Sequence, residues 1–155
     1  AEMSISERLA ELGITLPQAM APVANYVPVS ITGNLVTVSG QLPAIAGKVA
    51  VTGKLGASVA LEEGQHAARL CLINVLAQLQ AALPNGLESV TKVVRLGGFI
   101  SCTPDFTQHA VVMNGASDLS VAVFGEAGRH ARSTVGVASL PLDAAVEVEG
   151  LFYIG

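Results

Sequence analysis

Charge is scarce in this chain. Only 13% of its 155 residues are Asp, Glu, Lys or Arg, about half the share usual in soluble domains. Lys and Arg number 8 against 12 acidic residues, a formal net of −4, so the basic stripe that a phosphate backbone requires is missing. Aromatic residues are 4%, too few for the stacking platforms on which single strands lie. A nucleic-acid partner is therefore not expected. No apolar run reaches the roughly 18 residues of a bilayer span, and no membrane partner is expected. The first eight residues show no basic stretch followed by an apolar one, so no secretion signal is read there and a cytoplasmic location is expected. Cys71 and Cys102 form no CxxC or metal-ligand pattern, and they are read as reduced core thiols.

What is plentiful is apolar residues, at 51%. That share excludes disorder, and the length fits a single domain over 1–155. So few ionic groups leave two readings, a surface rich in Ser, Thr, Gln and Asn or one partly covered by another copy of the chain, and the second is favoured.

Along the chain, Ser4 to Leu12 reads as a short helix, with Ser4 and Glu7 as a capping box and Gly13 as its stop. Val29–Ile31 and Leu35–Ser39 read as a hairpin about Gly33-Asn34. Gly40 to Pro43 reads as a turn, and Lys48 to Lys54 as an edge strand. Ala60 to Leu83 carries Leu61, Ala68, Leu72, Val75, Leu76, Leu79 and Leu83 at the spacing of one helical face. Ser89 to Cys102 reads as a strand interrupted at Gly97-Gly98. Thr103-Pro104 reads as the start of a helix that is disturbed at Asn114-Gly115 and capped by Gly125. Two strands follow, Arg132–Leu140 and Ala144–Tyr153, joined by Pro141-Leu142-Asp143; if they pair as a hairpin, Arg132 and Glu147 fall about two residues out of opposition and share a neighbourhood. The order predicts an α+β fold: a mixed sheet with two long helices on one face and the other face left for neighbouring copies.

Chemistry concentrates in the last two strands. Arg132 opens an otherwise apolar strand and offers a rigid fork for a small carboxylate. Glu147 and Glu149 share one face of the next strand, because side chains alternate; either carboxylate can take a proton from water. The competing reading is a structural salt bridge between Arg132 and a strand glutamate. HExxH, GxGxxG, P-loop and GxSxG patterns are absent. His66 and His109 are isolated, so no metal site is expected. His130 lies two residues before Arg132, and Tyr26 sits in a proline-bounded loop.

The segments Ala131-Arg132-Ser133-Thr134-Val135, Leu140-Pro141-Leu142-Asp143-Ala144 and Val146-Glu147-Val148-Glu149 resemble the C-terminal signature of the reactive intermediate deaminase (Rid) family. Its members are also called YjgF-like or endoribonuclease L-PSP-like proteins. Gly33 to Pro43 is similar to the family's glycine-asparagine to serine-glycine-glutamine segment, and Tyr26 stands thirteen residues before Ser39 as the family's loop tyrosine does. The resemblance implies a chorismate-mutase-like fold and a homotrimer with clefts between subunits. It also implies cofactor-free hydrolysis of 2-aminoacrylate-type enamines and imines to 2-keto acids and ammonia. By position, Arg132 would grip the substrate carboxylate, Glu147 would handle water, and Tyr26, Ser39, Gly40 and Asn114 would line the cleft. Thr134 replaces the cysteine usual in the deaminase branch, and residues 1–25 form a helical extension that short members lack. The Phe124–His130 loop also departs from theirs. The alternative is a cleft that binds a small carboxylate or keto acid without turnover. An endoribonuclease is disfavoured by the charge and by the lack of a His/His/Lys-type constellation. The N-terminal helix is expected to cover the cleft mouth or the trimer edge.

Overall fold

A computed structural model describes residues 3–22 and 24–155; Ala1, Glu2 and Val23 of the N-terminal extension lie outside them. The chain opens with α1 (Ile5–Glu11), whose cap is as the sequence predicts. Ser4 Oγ accepts the Glu7 amide at 3.1 Å, and the Glu7 carboxylate accepts the Ser4 amide at 2.9 Å. β1 (Val29–Thr32) and β2 (Leu35–Gln41) form the expected hairpin. Gly33 takes φ of 60° in the two-residue turn, a conformation that a side chain would oppose. α2 (Leu61–Ala82) is the long helix, β5 (Val90–Ser101) and α3 (His109–Phe124) follow, and β6 (Ala131–Val137) and β7 (Val146–Ile154) close the fold. β3 (Ala44–Ile45) and β4 (Lys48–Val49) are a separate minimal pair.

The five-stranded sheet has the order β1-β2-β7-β5-β6, and only β5 and β6 run parallel. Both helices lie on one face. Val146, Val148 and Phe152 of β7, Val36 and Val38 of β2, and Leu96 and Ile100 of β5 are buried under Leu72, Val75, Leu76 and Leu79 of α2 and Val112, Met113 and Leu119 of α3. The opposite face carries Leu35, Val135 and Tyr153, each more than 40% exposed. It also bears the Arg95–Glu149 ion pair at 3.5 Å, so this face is less bare of charge than the composition implied.

Several sequence expectations need correction. The last two strands do not form a hairpin. β6 lies parallel to β5 after the α3 crossover, and β7 inserts between β2 and β5. The chain reaches that position through Pro141–Asp143, with Leu142 and Asp143 at φ of 57° and 60°. β5 is not interrupted. Gly97 and Gly98 stay extended, and they are small because a Cβ there would meet Glu149 Cγ at 2.9 Å and Met113 Sδ at 2.5 Å.

α3 is likewise continuous through Asn114-Gly115. Gly115 marks the crossing with α2, where a Cβ would stand 2.0 Å from the Gln65 carbonyl oxygen. α3 begins at His109, later than Thr103-Pro104 suggested. The Thr103 amide is already bonded to Leu55 O at 3.0 Å, and its hydroxyl closes a turn on Asp105 at 2.7 Å. β2 runs through Gly40 to Gln41 with a bulge between Val38 and Gln41, so the expected turn starts later. The edge strand expected over Lys48–Lys54 shrinks to Lys48–Val49.

The N-terminal helix docks against the C-terminal turn of α3 and lines no part of the cavities described below. Leu9 is buried, Arg8 Nη1 donates to Val123 O in the last turn of α3 at 3.3 Å, and Glu88 accepts the Ile5 and Ser6 amides at 2.6 and 3.3 Å. Those amides are orphan donors of the first turn, which an acceptor stabilises. Glu88→Ala is expected to lower Tm by roughly 2–4 °C, corresponding to about 1 kcal/mol. An unchanged thermal melt would mean that Leu9 alone holds the helix.

Candidate functional site

The residues singled out in the sequence gather at two places. The first is the junction of β6 and α3. Arg132 pairs in register with the core residue Leu96, so its side chain points to the helical side of the sheet. There its Nη1 donates to Asn114 Oδ1 at 2.8 Å and to Ser117 Oγ at 3.0 Å, and its Nη2 donates to Ala110 O at 3.2 Å. Ala110, Asn114 and Ser117 succeed one another at steps of four and three, one face of α3. All three acceptors are neutral. Among the described residues no carboxylate reaches Arg132, and the two ion pairs found there are Arg95–Glu149 and Arg129–Glu126. The structural salt bridge is therefore absent, and of five N–H donors the Nε–H and one Nη2–H remain unbonded.

Ser117 links Arg132 to His130. The imidazole Nδ1 lies 2.6 Å from Gly128 O, which can only accept, so Nδ1 carries the proton. In the neutral ring Nε2, at 2.8 Å from Ser117 Oγ, accepts the serine hydroxyl proton, leaving Oγ to accept from Arg132. Partial burial holds the His130 pKa below the ordinary histidine value, and the Arg132 and Lys92 charges add to that against the pull of Gly128 O. Asn114, Ser117, Arg129, His130 and Arg132 line a surface cavity of about 290 Å³. Thr134 is one side-chain step along the same face, but its hydroxyl is fully buried and has no partner among the described residues.

Because the His130 pKa lies below its ordinary value, the folded chain binds fewer protons there than the unfolded chain does as pH passes through that range. Its contribution is complete above the ordinary histidine pKa and is lost as pH falls from there towards the lower folded value. Half-exposure keeps the effect small. Between pH 7.5 and 5, wild type is expected to lose roughly 1–2 °C more in Tm than His130→Gln does. Parallel slopes would exclude a neutral, bonded imidazole.

The second place is the bulge of β2 against β7. The bulge releases Ser39 and Gly40 from pairing with β7, and the Ser39 hydroxyl donates to Val27 O at 2.8 Å. Tyr26 and Gly40 line one small depression of about 40 Å³ with Met20, Pro28 and Leu42. The Glu147 carboxylate lies against Gly40: a Cβ at position 40 would come within 1.9 Å of Oε2. Gly40 does not have a positive φ, so room for the carboxylate, not backbone freedom, requires the glycine. Glu147 has no hydrogen-bond or ion-pair partner among the described residues. Burial, and secondarily the Glu149 charge, pushes its pKa up from the usual carboxylate value.

The two groups do not meet within one chain. Glu147 pairs with Phe99 of β5 and faces away from the helices; Arg132 pairs with Leu96 on the other side of β5 and faces towards them. The sequence-based idea that Arg132 and Glu147 share a neighbourhood rested on the hairpin, and it fails with it. Ser117, Ala110 and the His130 link escaped the sequence reading. The helical spacing of 110, 114 and 117 was the signal available. No group of three or more potential metal ligands occurs among the described residues, and no helix there is long and apolar enough to cross a membrane.

A family model described as "YjgF/chorismate mutase-like, putative endoribonuclease" matches residues 6–153. The chain belongs to this YjgF/chorismate-mutase-like family. Its mixed sheet with two helices on one face is accordingly the chorismate-mutase-like α+β fold. The Trypanosoma cruzi protein TCP17 is 51% identical over 148 residues, covering 95% of this chain and 92% of that protein. A crystal structure of the Agrobacterium tumefaciens protein Atu1372, of unknown function, superposes with a TM-score of 0.91 at 50% identity, over 97% of this chain and 92% of that one. E. coli TdcF with bound serine superposes with a TM-score of 0.63 at 26% identity, over 89% of this chain and 94% of that one.

Proposed function

We propose that the chain assembles into a homotrimer whose intersubunit clefts hydrolyse reactive enamines and imines of the 2-aminoacrylate type to 2-keto acids and ammonia. The observation that carries this reading is Arg132, which meets no carboxylate among the described residues. Its guanidinium is fixed by three neutral acceptors, opens onto a cavity and keeps two N–H donors for a ligand. A small carboxylate fits that demand for charge. E. coli TdcF, a family member, holds serine, which also carries a carboxylate. The division into two half-sites on opposite faces of one sheet favours a site completed by a second copy. In it the β6/α3 group of one subunit faces the Gly40–Glu147 group of the next, and the exposed apolar sheet face becomes the shared surface.

In such a cleft Arg132 orients the substrate by its carboxylate, and orientation supplies much of the acceleration because an imine carbon is already electrophilic. Water adds to that carbon and yields a proton to Glu147, whose raised proton affinity makes it the stronger base. The nitrogen takes up a proton as its bond to carbon breaks, so the imine of pyruvate plus water becomes pyruvate plus ammonia. Tyr26, Ser39 and Asn114 shape the walls. Asn114 acts on the guanidinium itself, which it holds in place. No metal or other cofactor enters this scheme.

The test is to generate 2-aminoacrylate with a serine dehydratase and follow pyruvate release above the spontaneous rate. Arg132→Ala is expected to lose about 10–100-fold, the worth of a charge-assisted bond to a carboxylate. Equal rates for the two proteins would end the proposal. Sedimentation should give a particle near three times the 15.8 kDa chain mass. A second reading, binding without turnover, is favoured by the buried Thr134 hydroxyl, which offers nothing to a cleft water where the deaminase branch has a thiol. Calorimetry with 2-ketobutyrate separates the two readings: binding that depends on Arg132 without pyruvate release supports the second. Endoribonuclease activity is disfavoured by the net charge of −4.

A further inference from the structure

Cys102 and His109 were read from the sequence as a core thiol and an isolated histidine, but the fold joins them. Cys102 follows the last residue of β5 and His109 opens α3, and the Cys102 Sγ lies 3.6 Å from His109 Nε2. Phe106 packs edge-on against the imidazole, with ring centroids 5.4 Å apart, and so fixes its plane. The pair is not buried. Cys102, Phe106, His109, Gly136 and Val137 line an open cleft of about 380 Å³. Gly136 makes room in front of both reactive atoms: a Cβ there would stand 2.7 Å from the sulfur and 2.6 Å from Nε2. The site lies at the C-terminal end of β6, whereas Arg132 stands near its start.

We propose that Cys102 and His109 form a second reactive centre, a thiol oxidation site that takes small peroxides. His109 Nε2 accepts the thiol proton as the sulfur attacks one peroxide oxygen. A sulfur–oxygen bond forms and the oxygen–oxygen bond breaks. The departing hydroxide takes the proton, so thiol plus hydrogen peroxide gives sulfenic acid plus water. Cysteine is oxidised by two electrons and the peroxide is reduced by two. No second cysteine resolves the product inside the chain, because Cys71 is wholly buried beneath β7 with its Sγ on Val146 O at 3.4 Å. The sulfenic acid therefore persists until an external thiol reduces it.

Cys71 provides an internal control, since burial pushes its thiol well above the ordinary value and keeps peroxide out. The experiment treats the native full chain with hydrogen peroxide in the presence of dimedone and quantifies the adduct on each cysteine by mass spectrometry. The Cys102 adduct is expected to form at least ten times faster than the Cys71 adduct. His109→Gln should slow it at least threefold, with an unchanged far-UV spectrum and melt. Gly136→Ala should suppress it by closing the space over the sulfur. Equal labelling of the two cysteines, or a His109→Gln rate equal to wild type, would overturn the assignment.

Discussion

Gly40→Ala is expected to abolish the proposed hydrolysis nearly as completely as Glu147→Gln does, by roughly 10²–10⁴-fold in turnover. The added methyl group would fall 1.9 Å from Glu147 Oε2 and 2.8 Å from Cδ, so the carboxylate must swing away from the β2 bulge. Only the end of a flexible side chain has to move, and the extended backbone at position 40 tolerates alanine. The melting temperature should therefore stay within about 2 °C of wild type while pyruvate release collapses. Full activity in the alanine variant would place the water-handling group elsewhere than at Glu147.

Gly115→Ala should have the opposite profile. There the new Cβ would meet backbone, at 2.0 Å from Gln65 O and 2.7 Å from Gln65 C, where α3 crosses α2. Neither helix can yield locally, since the same crossing carries the Gln65 Nε2 to Val111 O bond at 3.0 Å and lies over buried Val112 and Ala116. Separating the helices costs about 3 kcal/mol, a fall in Tm of roughly 6–12 °C. Thermal melting measures it directly, and a loss under 2 °C would show that the crossing is loosely packed. The displacement is also transmitted to Asn114, one residue away, which steadies Arg132.

These two glycines show where reading the sequence succeeds and where it stops. α1 and α2 were legible because their signals are local. The periodicity of Leu72, Val75, Leu76 and Leu79 gives α2, and Ser4 with Glu7 gives the cap of α1, without any knowledge of distant residues. The β1–β2 hairpin was legible for the same reason, since Gly33-Asn34 encodes its own turn. Gly97, Gly98 and Gly115 were misread as breaks because glycine gives the same letter for two causes. One is freedom of the backbone; the other is the close approach of a neighbour that lies far away in the chain.

The site divides along the same line. The residue types and spacings of Arg132, Glu147, Ser39 and Gly40 marked the family in one dimension, and the family model over residues 6–153 agrees. Their grouping was not legible, because strand pairing is a long-range choice. With Pro141–Asp143 read as a hairpin turn, Arg132 and Glu147 become neighbours. With β7 placed between β2 and β5, they take opposite faces of the sheet. The chain by itself determined α1, α2 and the β1–β2 hairpin, its low charge and its family, since each is a sum over near neighbours or a count. Only the tertiary structure decided that Arg132 is held by Asn114, Ser117 and Ala110 with no counter-ion among the described residues, and that Cys102 meets His109 in the open. Both follow from which distant segments the buried sheet brings together.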